Sequence, residues 1–263
     1  MPPSCRQTTP IRSDSSQDLR NHGASPHHPR HDYTALAEDI EGFLAEHGLR
    51  NPTLIGHSMG AKAVMAVALR DPARVEALVS IDNAPVDAAL ASDFGTYVAG
   101  MRKVEEAAVR KQSDADEILQ GYVEVRALML VSFHSNMNTN QRRRFLARQS
   151  LPVRQFLLTN LHRPPGSSPG TPLAWRIPLR TLGGALGAMA DFPFKGDAHA
   201  RFEGPALFVR GTKSKYVADD VLPVIGRFFP RFRLADVEAG HWIVSENPEA
   251  FREAVVEFLG LGE

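Results

Sequence analysis

Between Asp32 and His47 the apolar residues Tyr33, Leu36, Ala37, Ile40, Phe43 and Leu44 return at helical spacing, with the acidic Glu38, Asp39 and Glu41 between them. That pattern predicts an amphipathic helix. Gly48 ends it ahead of a short apolar, β-branched run, Pro52-Thr53-Leu54-Ile55. Ala61 to Leu69 is an Ala-rich helical stretch that stops before Asp71-Pro72, and Val75 to Ile81 is a second strand-like run ending at Asp82. Helix, strand, helix, strand in that order is the signature of an α/β fold with a mostly parallel sheet.

From about Ala88 to Phe194 the pattern changes to helices and irregular connections without a strand ladder, which predicts a helical insertion over one end of the sheet. Two stretches inside it differ from their surroundings, near residues 125–150 and 163–172. The first holds a polar segment, His134 to Gln141, followed by Arg142-Arg143-Arg144. With no interleaved aromatics the arginine cluster reads as a solvated face rather than a nucleic-acid or lipid patch. The second, Arg163 to Pro172, has the Pro, Gly and Ser content of a plain mobile loop. Strand character returns at Ala206 to Gly211 and at Phe232 to Val237, and the helix Pro248 to Leu259 closes the chain.

The first seventeen residues, rich in Pro, Ser, Thr and Gln, predict a disordered segment, 1–17, with no apolar h-region and so no secretory signal. Arg6, Arg12 and the serines, with Asp14 as the one acid, give it a faint organelle-transit character. Residues 18–87 and 195–263 then form the sheet-bearing core, and 88–194 the helical cap.

Charge and composition narrow the chemistry. Thirty basic residues balance thirty acidic ones in 263, so no global field draws nucleic acid or an anionic membrane, and a small-molecule substrate is the better expectation. A single cysteine, Cys5, rules out an internal disulfide framework and a Cys-based zinc cluster. No apolar run approaches the roughly 20 residues that a bilayer span demands.

The candidate chemistry starts at Gly56-His57-Ser58-Met59-Gly60, a Gly-x-Ser-x-Gly pattern between a predicted strand and a predicted helix. In a nucleophile elbow that context presents a serine Oγ on a strained turn, with flanking glycines where a Cβ would collide. Ser58 is the candidate nucleophile. It needs a base, and the base needs an acid to fix its tautomer. His241, after the last predicted strand and beside Gly240, is the natural base. The nine other histidines compete poorly: His22, His27, His28 and His31 crowd a polar N-terminal loop, and His57 lies in the elbow. Their spacing also makes a poor metal site, with no acidic partner at ligand distance. The usual place for the acid follows the strand Leu207 to Arg210, but there Gly211-Thr212-Lys213-Ser214-Lys215-Tyr216 offers no carboxylate before Asp219 and Asp220. Asp82, at the end of the strand after the elbow helix, emerges at the same sheet edge as Ser58. An Asp there also serves as a turn cap through an Asx hydrogen bond, the alternative role.

Together these residues resemble the α/β-hydrolase superfamily, in the branch of abhydrolase domain-containing protein eleven and the mitochondrial ethanol acetyltransferases. The resemblance runs through Asp18 to His27, Ile81 to Val86, Val153 to Leu161, Gly211 to Tyr216 and Gly240-His241-Trp242. It implies a carboxylesterase or alcohol acyltransferase that works through an acyl-enzyme on Ser58. Asp82 and His241 complete the triad, Met59 N–H serves as an oxyanion donor, and Gly56, His57 and Gly60 shape the elbow. An ester or acyl-thioester substrate is implied, with no cofactor and no metal, and a mitochondrial address, with the cytoplasm as the alternative. Asp18 to His27 resembles the loop after the fourth strand of complete hydrolases, so the first three to four strands are expected to be missing. With them would go the His-Gly loop that donates the other oxyanion N–H, and Thr53 to Ile55 would become a bare sheet edge. The alternative function is therefore a truncated, catalytically impaired hydrolase remnant with a non-catalytic or interaction role.

Overall fold

The first helix, α1 (Tyr33–Glu46), starts where Asp32 caps it: the Asp32 carboxylate accepts from Ala35 N–H at 2.8 Å. Its apolar stripe, Tyr33, Leu36, Ala37, Ile40 and Leu44, is buried, and it packs on α2 (Met59–Arg70). The chain is represented by a computed structural model that describes residues 14–87, 91–131, 151–195 and 200–261. The expectations for the first thirteen residues and for His134 to Arg144 fall outside those residues.

Four strands, β1 (Thr53–His57), β2 (Ala77–Ile81), β5 (Ala206–Gly211) and β6 (Phe232–Val237), pair in parallel in the order β1-β2-β5-β6. Side chains alternate between the faces. Leu54, Leu78, Ala206 and Phe208 join the core under α1, α2 and α7 (Leu222–Phe228), where Phe208, Phe228 and Phe229 are fully buried. Val79, Ile81, Leu207 and Val209 face the other way, against Phe251, Val255 and Phe258 of α9 (Pro248–Leu259) and Ile243 of α8 (Ile243–Glu246). Ile55 belongs to that second face, but β1 ends the described sheet and Ile55 is 49% exposed.

Between β2 and β5 the chain leaves the sheet. Helices α3 (Ala91–Glu106) and α4 (Gln112–Val131) pack together, and helical residues 151–158 join them through Leu157. Trp175 anchors this layer, donating from Nε1 to Met101 O at 2.9 Å within the buried cluster. The insertion is not wholly helical, since β3 (Leu161–His162) and β4 (Ala174–Trp175) pair antiparallel. They bracket Arg163 to Pro172, and this stretch differs from a plain mobile loop. Arg163 donates to the carbonyls of Ser168 and Thr171, and Arg110 to that of Gly170, so guanidinium groups satisfy a turn that has no ladder of its own. Two short helices, α5 (Leu179–Gly184) and α6 (Leu186–Ala190), return the chain to the core at Phe192.

Candidate active site

Each of the four parallel strands delivers one part of the site at its C-terminal end, the edge where open α/β sheets bind ligands. Ser58 follows β1 directly, with φ 54° and ψ −113°, a conformation that costs a non-glycine residue about 1–3 kcal/mol and has to be held from outside. Two hydrogen bonds hold it. Ser58 N–H donates to Ile81 O at 3.0 Å, and the amide Nδ2 of buried Asn83 donates to Ser58 O at 3.0 Å. A Cβ at Gly56 would lie 2.3 Å from Gly60 O, so only glycine lets β1 run this close to the first turn of α2. Gly60 corrects the expectation that both flanking glycines make room, because a Cβ there would meet nothing within 4 Å. Met59 opens α2, so its N–H is among the first-turn donors that lack a partner within the helix.

The structure brings Ser58, His241 and Asp82 together. Ser58 Oγ lies 2.9 Å from His241 Nε2, and His241 Nδ1 lies 2.7 Å from Asp82 Oδ2. With Nδ1 protonated, the ring donates to the carboxylate and presents a lone pair to the hydroxyl. Asp82 is fully buried and has φ 50°. Its carboxylate does not cap its own turn: Gly211 N–H donates to Oδ1 at 3.2 Å, and Ser214 Oγ and His241 Nδ1 both donate to Oδ2. The neighbouring Asn83 turns its own side chain to the local backbone, Oδ1 accepting from Ala84 N–H at 2.9 Å. Asp219 turns away to Arg210.

Three further residues contact His241 or its partner Asp82, and what each touches cannot be read from the sequence. Ser214 donates to Asp82 Oδ2 at 2.5 Å, and a loop serine in a single sequence is indistinguishable from any other. Tyr216 stacks on His241, with ring centroids 4.2 Å apart and planes 25° apart. His57 reaches across 184 positions to place Nε2 2.8 Å from the His241 carbonyl; the ring is donor there, and burial pushes its pKa down. The loop is fitted closely, since a Cβ at Gly211 would lie 2.2 Å from Gly240 O. Beside it Trp242 packs on the exposed Phe156 of the cap, with centroids 4.8 Å apart.

One turn beyond Ser58, Lys62 is fully buried. Its Nζ donates to the carbonyls of Ala190 and Asp191, both at 3.2 Å, and sits 5.4 Å from the centre of the Tyr33 ring. The N-terminal histidines are not simply a polar loop. His31 is buried against His22 and hydrogen-bonded to Asn21, and burial pushes its pKa down to about 4. Among the described residues no group of three or more His, Cys, Asp or Glu is placed to hold a metal, and no helix is long and apolar enough to cross a membrane.

Known proteins resemble this chain. A family model described as the alpha/beta hydrolase fold matches residues 17–248. A probable alcohol acetyltransferase of Saccharomyces cerevisiae is 35% identical over 92% of this chain and 67% of its own. The sn-1-specific diacylglycerol lipase ABHD11 of Mus musculus is 35% identical over 92% of this chain and 70% of its own. Among solved structures, a marine microorganism esterase superposes with a TM-score of 0.75 at 26% identity, covering 92% of this chain and 82% of that one.

Proposed function

Since the chain belongs to the α/β-hydrolase family and is an enzyme of the serine hydrolase and acyltransferase type, we propose that Ser58 is its nucleophile, His241 its general base and Asp82 the acid that orients the base. The observation that carries the assignment is the continuous relay from Ser58 Oγ through the His241 ring to Asp82, with links of 2.9 and 2.7 Å. As Ser58 Oγ attacks the carbonyl carbon of an ester or acyl thioester, its proton passes to His241 Nε2. The imidazolium is steadied by the buried carboxylate, and the developing oxyanion lies at the N-terminus of α2, where Met59 N–H and the helix dipole favour negative charge. His241 then returns the proton to the leaving alcohol or thiol, which leaves an acyl-Ser58 ester. In the second half His241 takes a proton from the acceptor, the acceptor oxygen attacks the acyl carbon, and Ser58 recovers its proton.

Water and an alcohol serve equally as acceptor in this scheme, and the named relatives include both an alcohol acetyltransferase and a lipase. The apolar rings of Trp242, beside His57, and of Phe156, packed on Trp242, favour substrates with an apolar acyl or alcohol group. The purified chain is expected to hydrolyse a short-chain nitrophenyl ester and to be labelled at Ser58 by a fluorophosphonate. Ser58→Ala should abolish labelling and lower turnover by about 10⁴-fold or more. A folded protein that takes no label at Ser58 overturns the assignment. Adding ethanol to the same assay and measuring ethyl ester against free acid divides transfer from hydrolysis.

A further inference from the structure

Tyr216 lies outside the serine–histidine–aspartate relay but touches its central ring. We propose that Tyr216 is a positioning residue for His241, whose phenol face stabilises the imidazolium formed when Ser58 gives up its proton. This rests on His241 being the base. The stack is nearly parallel, at 4.2 Å between centroids and 25° between planes, so the electron-rich face of the phenol lies against the ring that becomes cationic. Tyr216 is itself held in place through the acid: its N–H donates to Ser214 Oγ, and that hydroxyl donates to Asp82. One five-residue turn after β5 therefore sets both the partner of the Nδ1 side and the surface beneath the ring.

The other groups around His241 leave the cationic state to these two neighbours. Asp82 approaches from the end of β2, and Ser58 and His57 approach from the end of β1. Ser214 reaches the shared carboxylate from the loop after β5, and Trp242 packs edge-on at 5.6 Å. Glu246 of α8 is occupied by the N–H groups of Gly240 and Trp242. His57, 4.8 Å away between centroids, donates to the His241 carbonyl, and burial pushes its pKa down, which disfavours a second cation beside the ring. Asp82 supplies the charge, and Tyr216 supplies a flat face that fixes the tilt of the imidazole and favours its protonated form.

The test measures fluorophosphonate labelling of Ser58, and kcat and KM on a nitrophenyl ester, across pH. Wild type is compared with Tyr216→Phe, Tyr216→Leu and a variant carrying pentafluorophenylalanine at position 216. The fluorinated ring keeps the shape of phenylalanine and reverses the charge of its face. Tyr216→Leu is expected to lower kcat and the labelling rate roughly threefold to thirtyfold, with KM within about twofold. Its acid limb should move to lower pH by about 0.5–1.5 units. The fluorinated variant should follow Tyr216→Leu, and Tyr216→Phe should follow wild type. The proposal is overturned if Tyr216→Leu slows labelling while its acid limb stays in place or moves up, or if Tyr216→Phe is as slow as Tyr216→Leu. Should Tyr216→Leu fail to fold, the fluorinated variant decides alone, and wild-type behaviour there overturns the proposal. Wild-type protein unlabelled at Ser58 would instead remove the hydrolase assignment beneath it.

Discussion

Strands β2 and β5 run side by side in the same direction and both end beside the His241 loop, but they end differently. β2 stops in a buried carboxylate, Asp82, whereas β5 continues into Gly211, Ser214 and Tyr216, none of which carries charge. A buried carboxylate is tolerable only where donors surround it. At the end of β2 three donors converge on Asp82, and two of them come from the β5 turn. The two strand ends therefore work as one unit, in which β2 supplies the charge and β5 supplies the donors that let the charge stay buried. Where an acid sits in such a sheet is decided by which neighbouring strand end can solvate it, not by strand position alone.

Removing the charge should break this division most severely. Asp82→Asn keeps the shape but supplies an amide that can donate to His241 Nδ1 and stabilise the wrong tautomer. Turnover should fall about 10³–10⁴-fold. A loss under tenfold in steady-state kinetics would show that the carboxylate is not the acid. The next effect is expected from the close approach behind the acid. Gly211→Ala drives a Cβ against Gly240 O and pushes the His241 loop away from Ser58. A displacement of about 1 Å is enough for a loss near 10²-fold, and Gly60→Ala, with open space at its Cβ, should stay within about threefold. Equal losses in these two variants would mean that the β5–His241 fit is not what holds the base. Ser214→Ala sharpens the comparison at the donor end. It removes one charge-assisted hydrogen bond of about 1.5–3 kcal/mol, part of which water entering the vacated space replaces, and a drop of about tenfold in kcat is expected.

The residues that follow strands were legible in the chain because local pattern specifies them. The strand, turn and helix around Ser58 are read from an apolar run, two glycines and an alanine-rich helix. Asp82 and His241 are read from where two more strands stop. The terminal helix needed only Pro248 and its apolar spacing. The contacts of Ser214, Tyr216, His57 and Lys62 leave no local trace for one shared reason: each acts on something more than 100 positions away or, for Tyr216, on a ring beyond the next strand, and no local period records such a contact. Two-residue strands have no alternation to read, so no local pattern marks the short β3–β4 pairing. The Gly-x-Ser-x-Gly pattern gives both glycines the same letter, while the fold crowds Gly56 and leaves Gly60 open.

The last expected effect is on stability rather than turnover and concerns Lys62, which ties the elbow helix to the returning cap as the β5 turn ties Asp82 to the sheet, but with a buried cation in place of a buried anion. Desolvation lowers its pKa to about 8, while Asp87 and Asp191 pull it back upward. A lysine whose pKa is lower in the folded than in the unfolded chain binds fewer protons when folded, so stability rises with pH between the two values. From the folded value of about 8 and an unfolded value near 10.5, unfolding free energy should climb by about 2–3 kcal/mol between pH 7 and 10 from this residue alone. Above pH 10 the buried Tyr33 opposes it: burial raises the Tyr33 pKa, so its contribution falls as pH rises. Lys62→Met keeps the apolar stem and removes the titration, and in that variant the rise from pH 7 to 10 should flatten. Urea unfolding at several pH values measures it, and an equal rise in wild type and Lys62→Met would show that the Lys62 ammonium is not the source.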